Sequence, residues 1–245
     1  MRKVIGSVAA LAAMSAVVAG CALDPSGAVA TVAGTDLQSD VAARLTRAGQ
    51  QPQSVTCEDD LVGEVGQTAR CEVVMSPTNS FEPIVTVTGV EGATINYEMA
   101  PAMSEDQLAR AVTRLLSVTG GAPSDSVSCL SGLMGVIGAE ARCDVTTAGV
   151  TLQRTAVVTS VEGLMMNFDL IPVLTKAEVE VSLLDELAAH LAKRPDSAVC
   201  AGNLEGRPGA TVDCTVVVAP DSAAFTLTVT AVDGTKIDYS YAPRG

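Results

Sequence analysis

Six of the seven cysteines in this 245-residue chain fall into three pairs of one spacing. Cys57 and Cys71, Cys129 and Cys143, and Cys200 and Cys214 each stand fourteen residues apart, and the pairs recur with a period of 71 or 72 residues. A fixed period of that kind marks an internal repeat. Other letters hold the same register. Gly66, Gly138 and Gly209 each precede the second Cys by five, and Val90-Glu91-Gly92, Val161-Glu162-Gly163 and Val232-Asp233-Gly234 follow it. Tyr97, Phe168 and Tyr239, then Pro101, Pro172 and Pro243, close the pattern. Such a chain builds three similar small units.

Each unit reads as one helix followed by strands. Thr35-Asp36-Leu37-Gln38, Ser104-Glu105-Asp106-Gln107 and Thr175-Lys176-Ala177-Glu178 match the capping box, in which side chains satisfy the first helical N–H groups. Behind them run helical stripes: Leu37, Val41 and Leu45; Leu108, Val112, Leu115 and Leu116; Val179, Leu183, Leu187 and Leu191. Gly49, Gly120-Gly121 and Pro195 are the expected stops. Alternating runs follow, and each Val-Glu/Asp-Gly element turns into a second run: Ile95, Tyr97 and Met99; Met166, Phe168 and Leu170; Ile237, Tyr239 and Tyr241. Alternation across a glycine turn predicts a hairpin.

The expected class is α+β: three tandem small domains, each one helix packed on an antiparallel sheet of about four strands, over residues 35–101, 102–172 and 173–245. Units of this size hold only a marginal core. A disulfide closing a loop of about 15 residues adds roughly 3 kcal/mol in the chain-entropy model. The identical spacing predicts one disulfide within each repeat, in an oxidising compartment. Three metal sites would need further Cys or His ligands, so no metal is expected. The chain has no C-x-x-C, so a thioredoxin-like redox role has no support.

At the N-terminus, Arg2 and Lys3 precede an uncharged Ala- and Val-rich run that ends in small residues. Residues 1–20 read as a secretory signal peptide. Val18-Ala19-Gly20-Cys21 matches a lipobox, which makes Cys21 the expected lipidation site and 21–34 a flexible tether. Two or more acyl chains suffice for stable anchoring. The expected location is therefore the extracytoplasmic face of the cell membrane, held through covalent lipid. Loss of Arg2 and Lys3 would move the formal net charge from -13 to about -15. That balance argues against nucleic acid as a partner and against docking on anionic lipid through protein charge.

Ser54-Val55-Thr56-Cys57, Ser126-Val127-Ser128-Cys129 and Ser197-Ala198-Val199-Cys200 each precede a Gly-to-Cys segment, at 66–71, 138–143 and 209–214. With the hairpins and the lipobox, these letters resemble the actinobacterial domain of unknown function 4333, three times over. The third repeat departs slightly, with Ala198 in place of Val. The resemblance implies a secreted or lipid-anchored envelope protein with a cystatin-like or PepSY-like outline. It implies no catalytic residues, because the family's function is itself unknown.

Candidate chemistry is sparse. His190, the only histidine, lies on the third helix near Ser182 and Asp185, without a nucleophile elbow. Glu58-Asp59-Asp60 lacks the spaced ligand pattern of a calcium loop and reads as a solvated turn. Glu91, Glu162 and Asp233 recur where turn chemistry explains them. Met165 and Met166 suit core filling or an apolar pocket. Residues 36–101, 104–172 and 175–243 carry net charges of -7, -3 and -5, so the Met-rich middle repeat is the first place to look for a contact surface. The expectation is a protein without catalytic activity or cofactor, acting as a protein-binding or spacer module. The alternative is a carrier for an apolar envelope ligand held between helix and sheet.

Overall fold

The apolar stripes fold as helices and the alternating runs as antiparallel strands in the computed structural model, which describes residues 29–118, 123–191 and 193–244. The first repeat comprises β1 (Thr31–Val32), α1 (Gly34–Arg47), β2 (Ser54–Cys57), β3 (Leu61–Val62), β4 (Thr68–Ser76), β5 (Asn79–Phe81), β6 (Ile84–Glu91) and β7 (Thr94–Ala100). The second comprises β8 (Ala102–Met103), α2 (Glu105–Val118), β9 (Ser126–Cys129), β10 (Leu133–Met134), β11 (Glu140–Thr147), β12 (Val150–Glu162) and β13 (Met165–Leu174). In the third are α3 (Lys176–His190), β14 (Ser197–Cys200), β15 (Leu204–Glu205), β16 (Thr211–Val218), β17 (Asp221–Asp233) and β18 (Lys236–Pro243).

The main sheets run β2-β4-β6-β7, β9-β11-β12-β13 and β14-β16-β17-β18, and β15 adds to the free side of β13. In the first repeat the segment from second Cys to hairpin Gly is one residue longer and contains Pro83. The strand there divides into β5 and β6, because proline cannot donate to a ladder.

Each helix lays its stripe on its own sheet. Leu37, Val41 and Leu45 share a buried cluster with Cys71, Val73 and Val85. Leu108 and Val112 pack with Cys143, Val145 and Val158, and Val179, Leu183 and Leu187 with Cys214, Val216 and Leu227. The disulfides join directly opposed residues of antiparallel neighbours: Cys57–Cys71, Cys129–Cys143 and Cys200–Cys214, with Cα atoms 4.1, 3.9 and 3.9 Å apart. Each one staples the edge strand to its neighbour across the loop between them.

The helix starts agree with expectation in two repeats. Ser104 and Gln107 exchange side-chain and backbone hydrogen bonds, as do Thr175 and Glu178. The first repeat differs. α1 starts at Gly34 on an Ala33 N-cap with no side-chain bond, Thr35 lies inside the helix, and the Gln38 amide donates to Cys57 O instead. Ala33 holds the register position of Ser104 and Thr175, so the Thr35–Gln38 match was two residues out of phase. Asp60 compensates from a loop: its Oδ1 accepts the Gly34 N–H at 2.8 Å. α3 also ends at His190, ahead of Pro195, whereas Gly49 closes α1 at a φ of 77°. Gly120, Gly121, Cys21 and the whole expected signal lie outside the described residues. Of the expected tether, Thr31 and Val32 already form β1.

Candidate functional site

The units are joined by a recurring device. The chain leaving each last strand runs straight into the next repeat and pairs with the short strand between that repeat's two cysteines. β8 pairs with β10 in this way, and the Val173–Leu174 end of β13 pairs with β15. β1 occupies the same place on β3. At each junction a glycine N–H donates 2.7 Å to the incoming carbonyl: Gly63 to Ala30 O, Gly135 to Pro101 O, and Gly206 to Pro172 O. A Cβ on Gly135 would stand 2.5 Å from that oxygen, and on Gly206 2.7 Å, so only glycine admits so close an approach. Sequence reasoning noticed Pro101 and Pro172 but missed these glycines. Their signal was present, since each stands three residues before the repeated Gly66, Gly138 and Gly209. The loop that receives the incoming strand is also the loop the disulfide closes.

Around this shared device the two junctions differ. Between repeats 1 and 2, α2 lies against β5, with Arg110 Nη2 donating to Ser80 Oγ at 3.3 Å and Arg114 Nη1 to Thr78 O at 2.8 Å. The tip of the β12–β13 hairpin adds Leu164, which is buried in the first repeat's cluster with Phe81. Ala93 and Thr235, at the same register, are exposed. A cavity of about 330 Å³ lies between α2, β5 and this hairpin, lined by Phe81, Met103, Ala111, Leu164, Met166 and Phe168 among others. Its polar lining is Asn79, Asn167 and Arg114.

A local substitution gives the cavity its apolar wall. In the first repeat, Tyr97 OH donates to Asp40 Oδ2 at 3.0 Å, tying last strand to helix. Burial and then the Asp40 carboxylate raise the Tyr97 phenol above its ordinary pKa. In the third repeat, Tyr239 OH and Ser182 Oγ are 2.7 Å apart. The second repeat has Phe168 and Ala111 at those positions, and both face the cavity.

Between repeats 2 and 3 the contacts are polar. Asn203 Nδ2 donates to Gln153 Oε1 at 2.8 Å, Thr155 Oγ1 to Glu205 Oε1 at 3.2 Å, and Arg207 pairs with Glu140. Arg154 is buried, and that burial lowers its guanidinium pKa, partly offset by Glu178. Glu205 Oε2 and Arg207 Nε are buried without a hydrogen-bond partner among the described residues.

The remaining sequence candidates are dispersed. His190 is exposed on the last turn of α3, Ser182 is bonded to Tyr239, and Asp185 pairs with Arg194, so no triad forms. Asp60 is a helix cap rather than a free turn carboxylate, while Glu58 and Asp59 are exposed. Glu91, Glu162 and Asp233 are exposed beside Gly92, Gly163 and Gly234, whose φ values are 62, 58 and 59°. Met165 and Met166 both line the cavity. Among the described residues no three His, Cys, Asp or Glu side chains gather as a metal-binding group, and no helix is long and apolar enough to cross a membrane.

Comparison with known families gives three matches to one of them, a domain of unknown function (DUF4333), over residues 16–92, 96–163 and 164–234. The last two segments begin in or at the last strand of one structural unit and end at the hairpin tip of the next. That frame is offset from the helix-first frame by the strand both units share. No curated protein and no solved structure matches the chain.

Proposed function

The chain belongs to the DUF4333 family over most of its length, and we propose that it is a lipid-anchored cell-envelope protein whose three stapled repeats act as a non-enzymatic spacer and protein-binding module. The observation that carries this reading is the repeated junction. The chain leaving the last strand of repeat 1, and the end of the last strand of repeat 2, each pair with the disulfide-closed loop of the next unit, which couples the units in series. Series coupling of small stapled units suits a protein that holds a surface away from its attachment point. Three disulfides suit an oxidising, extracytoplasmic setting.

Attachment rests on the sequence: Arg2 and Lys3, the uncharged run to Gly20, and Cys21 behind Val18-Ala19-Gly20. Acyl chains on Cys21 would supply the membrane contact that a chain of net charge -13 does not supply through its side chains. This reading includes an actinobacterial source and a cystatin-like or PepSY-like outline for each unit. The test is cell fractionation. Cys21→Ala should move the protein from the membrane fraction to the soluble fraction, and continued retention would overturn the anchoring. Cross-linking in intact cells identifies the bound envelope protein; the absence of any cross-linked protein leaves the spacer role alone.

A further inference from the structure

We propose that the cavity between the first and second repeats binds a single-chain amphiphile with an anionic head group, the chain lying among Phe81, Met103, Leu164 and Met166 and the head on Arg114. This is independent of the anchoring proposed above, since it concerns a site in the described fold. Four observations converge on it.

The first is shape and lining. A cavity of about 330 Å³ with a mostly apolar wall and few polar groups lies within the range of small-molecule sites. Its methionines, Met103, Met165 and Met166, are unbranched and polarisable, so they adapt to a flexible chain. The second is the loss of a bond. Where repeats 1 and 3 tie helix to last strand through Asp40–Tyr97 and Ser182–Tyr239, repeat 2 has Ala111 and Phe168. The exchange removes the hydroxyls and leaves space on the helix side.

The third is charge. Arg110 and Arg114 lie one turn apart on α2, and neither has a carboxylate within ion-pairing distance among the described residues. In a chain of net charge -13, two guanidinium groups without carboxylate partners beside an apolar cavity mark the place where an anion is favoured. The fourth is the contrast with repeat 3. At the same helical positions α3 carries Val181 and Asp185, and the face they belong to is an open groove with Glu178 and Glu186. The face of α2 therefore favours an anion where the matching face of α3 opposes one. An apolar cavity of about 380 Å³ also lies inside repeat 3, between α3 and its sheet, but the one charged side chain in its lining is Asp221, so the cation that would hold an anionic head is found at the first junction.

The test uses the full chain in intact cells, wherever it resides. Photoactivatable long-chain fatty acid, lysophosphatidate of equal chain length, and the matching uncharged alcohol are each cross-linked by light, and the labelled peptides are mapped. Label from one or both anionic probes concentrated on residues 79–81, 103 and 164–168 supports the site, and their ratio identifies the head group as carboxylate or phosphate. Arg114→Gln should lower that label about tenfold, the loss expected for one charge-assisted contact. A second variant, Ala111→Ser with Phe168→Tyr, rebuilds a pair that already folds in repeat 3. It should suppress the label while leaving the disulfides and the thermal unfolding midpoint in place. Equal labelling by the alcohol, label spread over all three repeats, or label unchanged in both variants overturns the proposal.

Discussion

The two junctions of this molecule share a backbone device and oppose each other in side-chain chemistry. Both dock a proline carbonyl on a loop glycine, Pro101 on Gly135 and Pro172 on Gly206. Around that contact the first junction buries apolar side chains, with Leu164 reaching out of repeat 2 to lie beside Phe81, while Arg110 and Arg114 make polar contacts at its rim. The second is polar, with Thr155, Asn203, Glu205 and Arg207 crossing it and Arg154 buried at its edge. The backbone contact sets the order of the units, because every repeat presents the same glycine to the same carbonyl. Side chains then make each junction distinct. A duplicated module keeps what joins it to its neighbours and varies what surrounds the joint.

The largest effect comes from the staples. Replacing Cys129 and Cys143 together by serine should cost about 3 kcal/mol, and should release the Gly135 amide to hydrogen exchange while Gly206 stays protected. The Cys200 and Cys214 pair should show the reverse. If either double variant frees both glycines equally, the junctions are one cooperative unit and the comparison fails. Leu164→Ala comes next, at about 2–3 kcal/mol for a buried leucine. Its effect should appear in repeat 1, as lost exchange protection in β6, although the residue belongs to repeat 2. Thr235→Ala, at the same register but exposed, should stay within about 0.5 kcal/mol. Below these lies salt. The Arg207–Glu140 pair is half exposed, so high ionic strength should weaken the second junction by no more than about 1 kcal/mol and leave the first unchanged.

Much of this was legible in the letters, and the parts that were not share a cause. Helical stripes such as Leu37, Val41 and Leu45 are local and periodic, and they fold as read. The three cysteine pairs were legible because one spacing recurs three times, and the structure pairs them within each repeat. The first helix start was misread because Thr35 and Gln38 imitate a capping box locally. The actual cap, Asp60, comes from 26 residues downstream, which no window on the helix can see. Gly63, Gly135 and Gly206 repeat as faithfully as the cysteines, yet their purpose depends on a strand arriving from the preceding unit. The cavity was hinted at by Met165, Met166 and the aromatic series Tyr97, Phe168, Tyr239. Its walls, however, come from two repeats, and Phe81 faces it only because α2 lies on β5. The side-chain contacts between units carry no period of their own.

The smallest expected effect separates repeat 1 from repeat 2 by pH. Burial alone would raise the Asp40 carboxyl, but hydrogen bonds from Arg44 and Tyr97, and the charges of Arg44 and Arg47, outweigh it and hold the group below the usual carboxylate range. A group whose folded pKa is depressed contributes stability that is fully present above its unfolded value. That contribution disappears as the pH falls through the folded value. For a partly exposed pair it should stay below about 1 kcal/mol. Repeat 2 has Ala111 and Phe168 in place of this bridge and has nothing there to protonate. On acidification, exchange protection around Tyr97 in β7 should therefore fall before protection around Phe168 in β13. Asp40→Asn should bring the two strands level at neutral pH, and simultaneous loss in the unaltered chain would show that the bridge contributes nothing to the difference between the repeats.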